Sequence, residues 1–322
     1  MPPEGPRLLV TAREGALYLE RARIHVEGDR LVYHVTDDAD RREFNIPHVN
    51  LAVLFMGQGC SITEAAMRLL ADEGVHLAST GSGGTPMHMG SLATYRDTGH
   101  FRRLLPIYMD PARSLAAARS IMTDRAERMR KTGVRLAAKR LGRREAPEIT
   151  RATTDMARKV AAVESIESLL GIEGDYAKSC YAGFAGMVGA ASFRRAAGAA
   201  KNGGKGASPE DMALVNSLID HGNYLCYGMA GAALWALGIP PHMSLFHGKT
   251  RPGGLVFDLA DSFKDSLVLP NAFAALRGKG EREARERDFR SRMISAFDDH
   301  QTLMACITSV ERFLDAGEAA RA

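Results

Sequence analysis

The chain has 322 residues, 25% charged and 45% apolar, a balance that excludes an intrinsically disordered polypeptide and leaves ample length for a buried core. Its longest clean apolar run, MAGAALWALGI, is too short to span a bilayer, and the opening MPPEGPRLLV lacks the basic-then-apolar layout of a signal peptide. Four scattered cysteines without a Cys-x-x-Cys pair argue against a disulfide framework and against structural zinc, while a net charge of +4 permits an anionic partner without requiring one. A cytoplasmic location follows as the expectation.

Residues up to about 99 read as strand-rich. LLVT, ALYLERARIHVEGDRLVYHV and EFNIPHV alternate apolar and polar positions, with Gly28-Asp29 as a hairpin turn. LAVLFM, GQGC, SITEAAMRLLADEG and VHLAST then read as strand, turn, helix and strand, with Ser61 and Glu64 as a capping box for the helix. GQGCSI lacks the third glycine of a dinucleotide fingerprint. Neither it nor GSGG at 81–84 carries the Gly-Lys-Ser/Thr of a phosphate loop, so both are read as turn chemistry.

From about residue 100 the texture becomes helical. Residues 113–141 form a long Ala- and Arg-rich segment ending near Gly142. Within it Arg128, Lys131, Arg135 and Lys139 recur at spacings of three, four and four, which predicts one basic stripe suited to a phosphate backbone. KNGGKGA reads as a basic loop. A second long helix is predicted from Ser208, where Ser-Pro-Glu-Asp supplies a cap, a first-turn proline and early acids, as far as Gly238 and Pro240. From 281, EREARERDFRSRM reads as a helix with a solvated face. The fold class is therefore α+β: a β-rich N-terminal domain over 1–99, followed by a larger all-α domain over 100–322.

The chemistry concentrates in HGKTRPGGLVFDLADSFKD, residues 247–265. A plain reading makes it a loop, a short strand and a helix capped by Asp258, with Asp261 in the first turn and His247 satisfied by backbone groups. A second reading gathers donors around an ion. Asp258 and Asp261 stand one helical turn apart, Gly253-Gly254 lets the preceding chain fold back, and Glu173 after SIESLLGI offers a third carboxylate. A glutamate, a histidine and one or two aspartates suit Mg²⁺ or Mn²⁺ better than zinc. Such an ion polarises a phosphodiester and activates a hydroxyl. Lys249 and Arg251, between His247 and Asp258, are placed to hold a phosphate beside it.

Glu173-Gly174-x-x-Ala177-x-x-x-Tyr181, then Asn216, then His247 with Asp258 of LVFDLAD eleven residues later, resemble the CRISPR-associated integrase family. The wording of residues 247–265 is most similar to the I-F subtype. The resemblance implies metal ligands at Glu173, His247 and Asp261, with Asp258 completing the catalytic motif. It implies an endonuclease and integrase that inserts short DNA fragments into a repeat array by attack of a 3′-hydroxyl on a phosphodiester. Its partners would be double-stranded and partly single-stranded DNA, a second copy bound through the N-terminal domain, and a small ferredoxin-like companion subunit, fused in the I-F subtype to a helicase–nuclease. One departure is visible: Asp220 stands where the family often has a second asparagine.

Two rival readings have less support. A histidine–aspartate phosphohydrolase needs an adjacent His-Asp pair, and none of the ten histidines is followed by aspartate; no His-Glu-x-x-His occurs either. A non-catalytic DNA-binding scaffold would use the basic stripe alone.

Overall fold

Alternation in the first part of the chain produces short strands. In order these are β1 (Gly15–Leu19), β2 (Ala22–Glu27), β3 (Arg30–Val35), β4 (Glu43–Asn45), β5 (Leu51–Met56), β6 (Ser61–Ile62), β7 (His76–Ser79) and β8 (Met87–Met89), with helix α1 (Glu64–Asp72) between β6 and β7. The computed structural model describes residues 15–36, 42–80, 87–89, 97–142, 146–190, 193–195, 208–248, 253–278 and 280–320. LLVT, GSGG, KNGGKGA, Lys249 and Arg251 lie outside the described residues.

The strands form two sheets, ordered β1-β5-β7-β8 and β4-β3-β2-β6. β1, β5 and β7 run parallel, β5-α1-β7 forming the expected crossover unit. Gly28 takes φ +60° in the two-residue turn, and Glu27 faces Arg30 across the hairpin as the sequence predicts. The Ser61–Glu64 capping box does not form. Ser61 is drawn into pairing with Arg23, so the helix starts later: the Thr63 hydroxyl caps it by accepting the Ala66 N–H, and Glu64 turns to Arg68 one turn on.

The helices follow as α2 (Gly99–Met109), α3 (Pro111–Arg128), α4 (Val134–Leu141), α5 (Pro147–Ala162), α6 (Ile166–Met187), α7 (Pro209–Ala236), α8 (Gly254–Asp261), α9 (Lys264–Ala274), α10 (Arg282–Asp299) and α11 (Thr302–Ala319). The predicted 113–141 segment is two helices joined by a π turn at Met129–Gly133, and it ends on Gly142 in the left-handed conformation. Ser208 caps α7 as expected, its hydroxyl accepting the Asp211 N–H at 3.0 Å. α10 carries its charges outward and buries Phe289, Met293 and Phe297.

Strand β5 has a core on each side. Leu54 points to a small core with Ile24, Leu31 and the α1 residues Ala66 and Leu70, whereas Val53 and Phe55 point into the large helical core. The fit there is close, since a Cβ on Gly228 of α7 would lie 2.1 Å from the Phe55 ring. Apolar packing is thus continuous between the strand region and the helices. No helix among the described residues is long and apolar enough to cross a membrane.

Candidate metal centre

The centre is assembled from α3, α6, α8, α9 and the turn before α8. That turn is held by backbone geometry. Gly253 adopts φ +72°, its N–H donates to His242 Nδ1 at 3.0 Å, and the Leu255 N–H donates to the Pro241 carbonyl at 3.0 Å. Gly254 passes so close to Ser244 that a Cβ would stand 2.4 Å from the serine Cβ. The glycine pair therefore folds residues 241–248 back onto α8.

Asp258 is not a helix cap. LVF belongs to α8 rather than to a strand, and Gly253 precedes the helix, which leaves Asp258 in its interior and fully buried. A three-residue apolar stretch fits either period, so the sequence could not decide between strand and helix. The Asp258 carboxylate instead organises the folded-back turn, accepting the N–H groups of Leu245 at 2.5 Å, His247 at 3.3 Å and Phe246 at 3.4 Å, and the Ser244 hydroxyl at 3.0 Å. It also takes His247 Nδ1–H at 2.7 Å. This fixes the tautomer of the neutral ring, with the Nε2 lone pair facing outward.

That lone pair meets two carboxylates. His247 Nε2 lies 3.6 Å from Asp261 Oδ2 and 3.9 Å from Glu173 Oε2, and one ligand atom from each of the three residues falls within 4.8 Å of the others. Both separations from His247 are shorter than twice a metal–oxygen bond of about 2.1 Å, so one ion can bridge the imidazole to either carboxylate, and the three donors lie close enough to share it.

The charge balance agrees. Glu173, Asp258, Asp261 and Asp265 surround two permanent cations, Arg125 and Lys264, leaving two negative charges uncompensated while His247 is neutral. Arg125 is the hub. Its guanidinium is buried and reaches Asp265 at 2.6 Å, Glu173 at 3.0 Å and Asp261 at 3.4 Å, with the Tyr176 ring beneath it at 5.2 Å. Lys264 pairs with the other Asp261 oxygen. Burial alone would raise the Asp261 carboxyl, but Lys264, Arg125 and His247 outweigh it and hold it at about 2. Burial opposes a charged His247, yet the Asp258 hydrogen bond and the charges of Asp261, Asp258 and Glu173 raise it above the ordinary histidine value. A dication restores neutrality here, and a mixed carboxylate–imidazole donor set suits Mg²⁺ or Mn²⁺.

A family model described as CRISPR associated protein Cas1 matches residues 17–311. The chain belongs to the Cas1 family. A CRISPR-associated endonuclease Cas1 of Pseudomonas aeruginosa (strain UCBPP-PA14) is 37% identical over 300 residues, covering 88% of this chain and 89% of the relative. Among solved structures, a TtCas1–DNA complex superimposes with a TM-score of 0.67 at 24% identity, over 93% of this chain and 91% of that one. A casposase bound to integration product gives a TM-score of 0.70 at 16% identity, over 96% and 94%. At these identities the two structures establish the shared fold, a small β region followed by a larger helical one.

Beside this candidate centre stand three residues that the sequence did not single out: Arg125, Lys264 and Asp265. Lys264 had a local signal, a cation three residues after Asp261 on a helical path. Arg125 had none, being one of many arginines in its segment. The departure at Asp220 is compensated, because its carboxylate pairs with Arg195, which also donates to Asn216 Oδ1 at 3.0 Å.

The predicted basic stripe divides. Lys131, Arg135 and Lys139 are exposed, and Lys131 also pairs with Glu127. His300 nearby is pushed down by its burial and by the positive charges of Arg135 and Lys139. Arg128 is half-buried and donates to the Ala305 carbonyl at 2.7 Å, tying α3 to α11. The π turn after Arg128 interrupts the regular spacing on which the four-residue stripe was based.

Proposed function

We propose that this member of the Cas1 family is the metal-dependent endonuclease and integrase of CRISPR spacer acquisition, with Glu173, His247 and Asp261 holding Mg²⁺ or Mn²⁺. The observation that carries the metal assignment is the convergence of these three side chains, where two negative charges remain uncompensated once His247 is neutral. When bound, the ion supplies Lewis acidity, polarising a phosphodiester and lowering the pKa of an attacking hydroxyl.

The protein residues have separate tasks. Asp258 positions the His247 ring and keeps Nε2 toward the carboxylates. Lys264 and Arg125 keep Asp261 ionised throughout the neutral range. Arg125 also braces Glu173 against Asp261 and Asp265, so the carboxylates of α6, α8 and α9 stay at fixed separation. With a DNA 3′-hydroxyl as nucleophile the outcome is strand transfer, and with water it is cleavage.

Lys131, Arg135 and Lys139 provide an exposed cationic path for DNA phosphates, and Lys249 and Arg251 are assigned to the reacting phosphate from their place in the motif. The wording of residues 247–265 and the Pseudomonas relative support the I-F subtype. On that reading, residues 1–99 form the dimerisation domain of a homodimer that engages a ferredoxin-like companion subunit fused to a helicase–nuclease. The test is joining of a donor 3′ end to a target duplex in Mg²⁺ or Mn²⁺. Glu173→Gln should abolish joining while retaining DNA binding; normal joining by that variant would refute the site.

A further inference from the structure

A second group of metal-ligating side chains lies far along the chain from the nuclease centre, on the sheet ordered β4-β3-β2-β6. Ile24, Val26, Leu31 and Tyr33 face the small core. Strand alternation therefore sends Arg23, His25 and Glu27 of β2, with Val32 and His34 of β3, to the opposite face. Register then gathers the donors. His34 pairs directly with Glu43 of β4, and His25 sits diagonally from His34, opposite Val32.

The distances are those of a nascent coordination sphere. His25 Nε2 is 3.1 Å from Glu43 Oε1, the two imidazole rings lie 5.5 Å apart at 70°, and one donor atom from each of the three residues falls within 4.8 Å of the others. The surroundings favour a cation. Glu27 lies two residues beyond His25 on the same face of β2, which places a second acid beside the histidines. Two imidazoles and a carboxylate form a donor set for Zn²⁺ with an open fourth position, whereas Mg²⁺ prefers oxygen donors and its waters. The missing cysteine pair spoke against structural zinc, but the donors here are imidazole and carboxylate, which a count of cysteines does not sample.

The geometry points to a Zn²⁺ site made by His25, His34 and Glu43, with Glu27 at its margin, that clasps strand β4 to its sheet. The need is visible in the fold. β4 is three residues long, exposed throughout, and pairs only with β3 among the described strands. An ion linking Glu43 to His25 and His34 spans three adjacent strands and reinforces an edge that backbone bonds hold weakly.

The test uses the full chain carrying His247→Ala, which removes the imidazole of the nuclease centre. Zn²⁺ competed against a chromophoric chelator should bind at one equivalent in the micromolar range or tighter, and Co²⁺ in its place should give the visible absorption of a low-coordinate nitrogen–oxygen site. Adding His34→Gln should weaken Zn²⁺ at least tenfold and abolish the rise in unfolding temperature that Zn²⁺ gives the parent. Glu43→Gln, at an exposed position, provides the same readout should His34→Gln fail to fold. Equal Zn²⁺ stoichiometry and affinity in parent and variant would overturn the proposal, as would binding only at millimolar Zn²⁺.

Discussion

Replacing Asp258 with asparagine changes one atom type in a carboxylate that accepts five hydrogen bonds, from the Ser244 hydroxyl, the N–H groups of Leu245, Phe246 and His247, and His247 Nδ1. The amide oxygen can stay with Ser244 and Leu245, which share Oδ2, but the NH₂ group then replaces Oδ1 and faces two donors on His247. Two bonds to a charged acceptor are lost in a fully buried place, at roughly 1–3 kcal/mol each. The short 2.7 Å bond lies at the upper end and the 3.3 Å bond at the lower, so the expected loss is about 3–4 kcal/mol. The freed ring no longer presents Nε2 in a fixed direction, and Mn²⁺ affinity should fall about 10- to 100-fold. Urea unfolding followed by circular dichroism measures the first effect, and Mn²⁺ titration calorimetry the second. Ser244→Ala is the control: it deletes one of the five bonds, should cost about 1 kcal/mol, and should leave the ion untouched. Mn²⁺ binding by Asp258→Asn within twofold of the parent would refute the reasoning, because His247 would then owe its orientation to something else.

Arg125→Met leaves Glu173, Asp261 and Asp265 without their shared cation and should destabilise the fold by about 3–5 kcal/mol in urea unfolding. Asp261, held at about 2, contributes stability that is present above the ordinary carboxylate value near 4 and is lost as pH falls through about 2; Asp261→Asn should therefore remove roughly 2–3 kcal/mol of the acid-side change in a pH series of unfolding curves. His247 is raised, so below its pKa the charged ring must give up a proton to bind an ion: Mn²⁺ affinity should climb with pH until the ring is neutral, and calorimetry in buffers of different ionisation heat should detect the released proton, which His247→Ala eliminates. Replacing Lys131 and Arg135 together should lower the slope of log affinity against log salt by about two for duplex DNA; an unchanged slope would make the stripe a solvated face.

Local signals in the sequence were reliable wherever no other element competed for the residue. The Gly28 turn, the Ser208 cap and the Gly142 terminus each depend on backbone chemistry within a few residues, and each formed. Ser61 failed as a cap because β2, nearly forty residues earlier, claimed it for a sheet. Asp258 was visible as a motif member, but its work is to hold a turn of chain that precedes its own helix, which helical spacing does not encode. Arg125 was invisible for the opposite reason. Its segment is rich in arginine, and only tertiary packing selects which one is buried among three carboxylates. The π turn lacked a signal as well, and it removed Arg128 from the stripe.

The candidate metal centre draws Arg125, Glu173, His247 and Asp261 from parts of the chain separated by 48, 74 and 14 residues. No fragment shorter than α3 to α8 can contain all four. Closing such long loops delays these contacts until the helical body has largely condensed. A growing chain on the ribosome, or one truncated before α8, therefore holds Arg125 and Glu173 but lacks Asp258 and Asp261, and the centre is incomplete. On the proposed assignment, DNA breakage would be confined to molecules that have completed folding, a safeguard for a cell whose own chromosome lies within reach of the newly made protein.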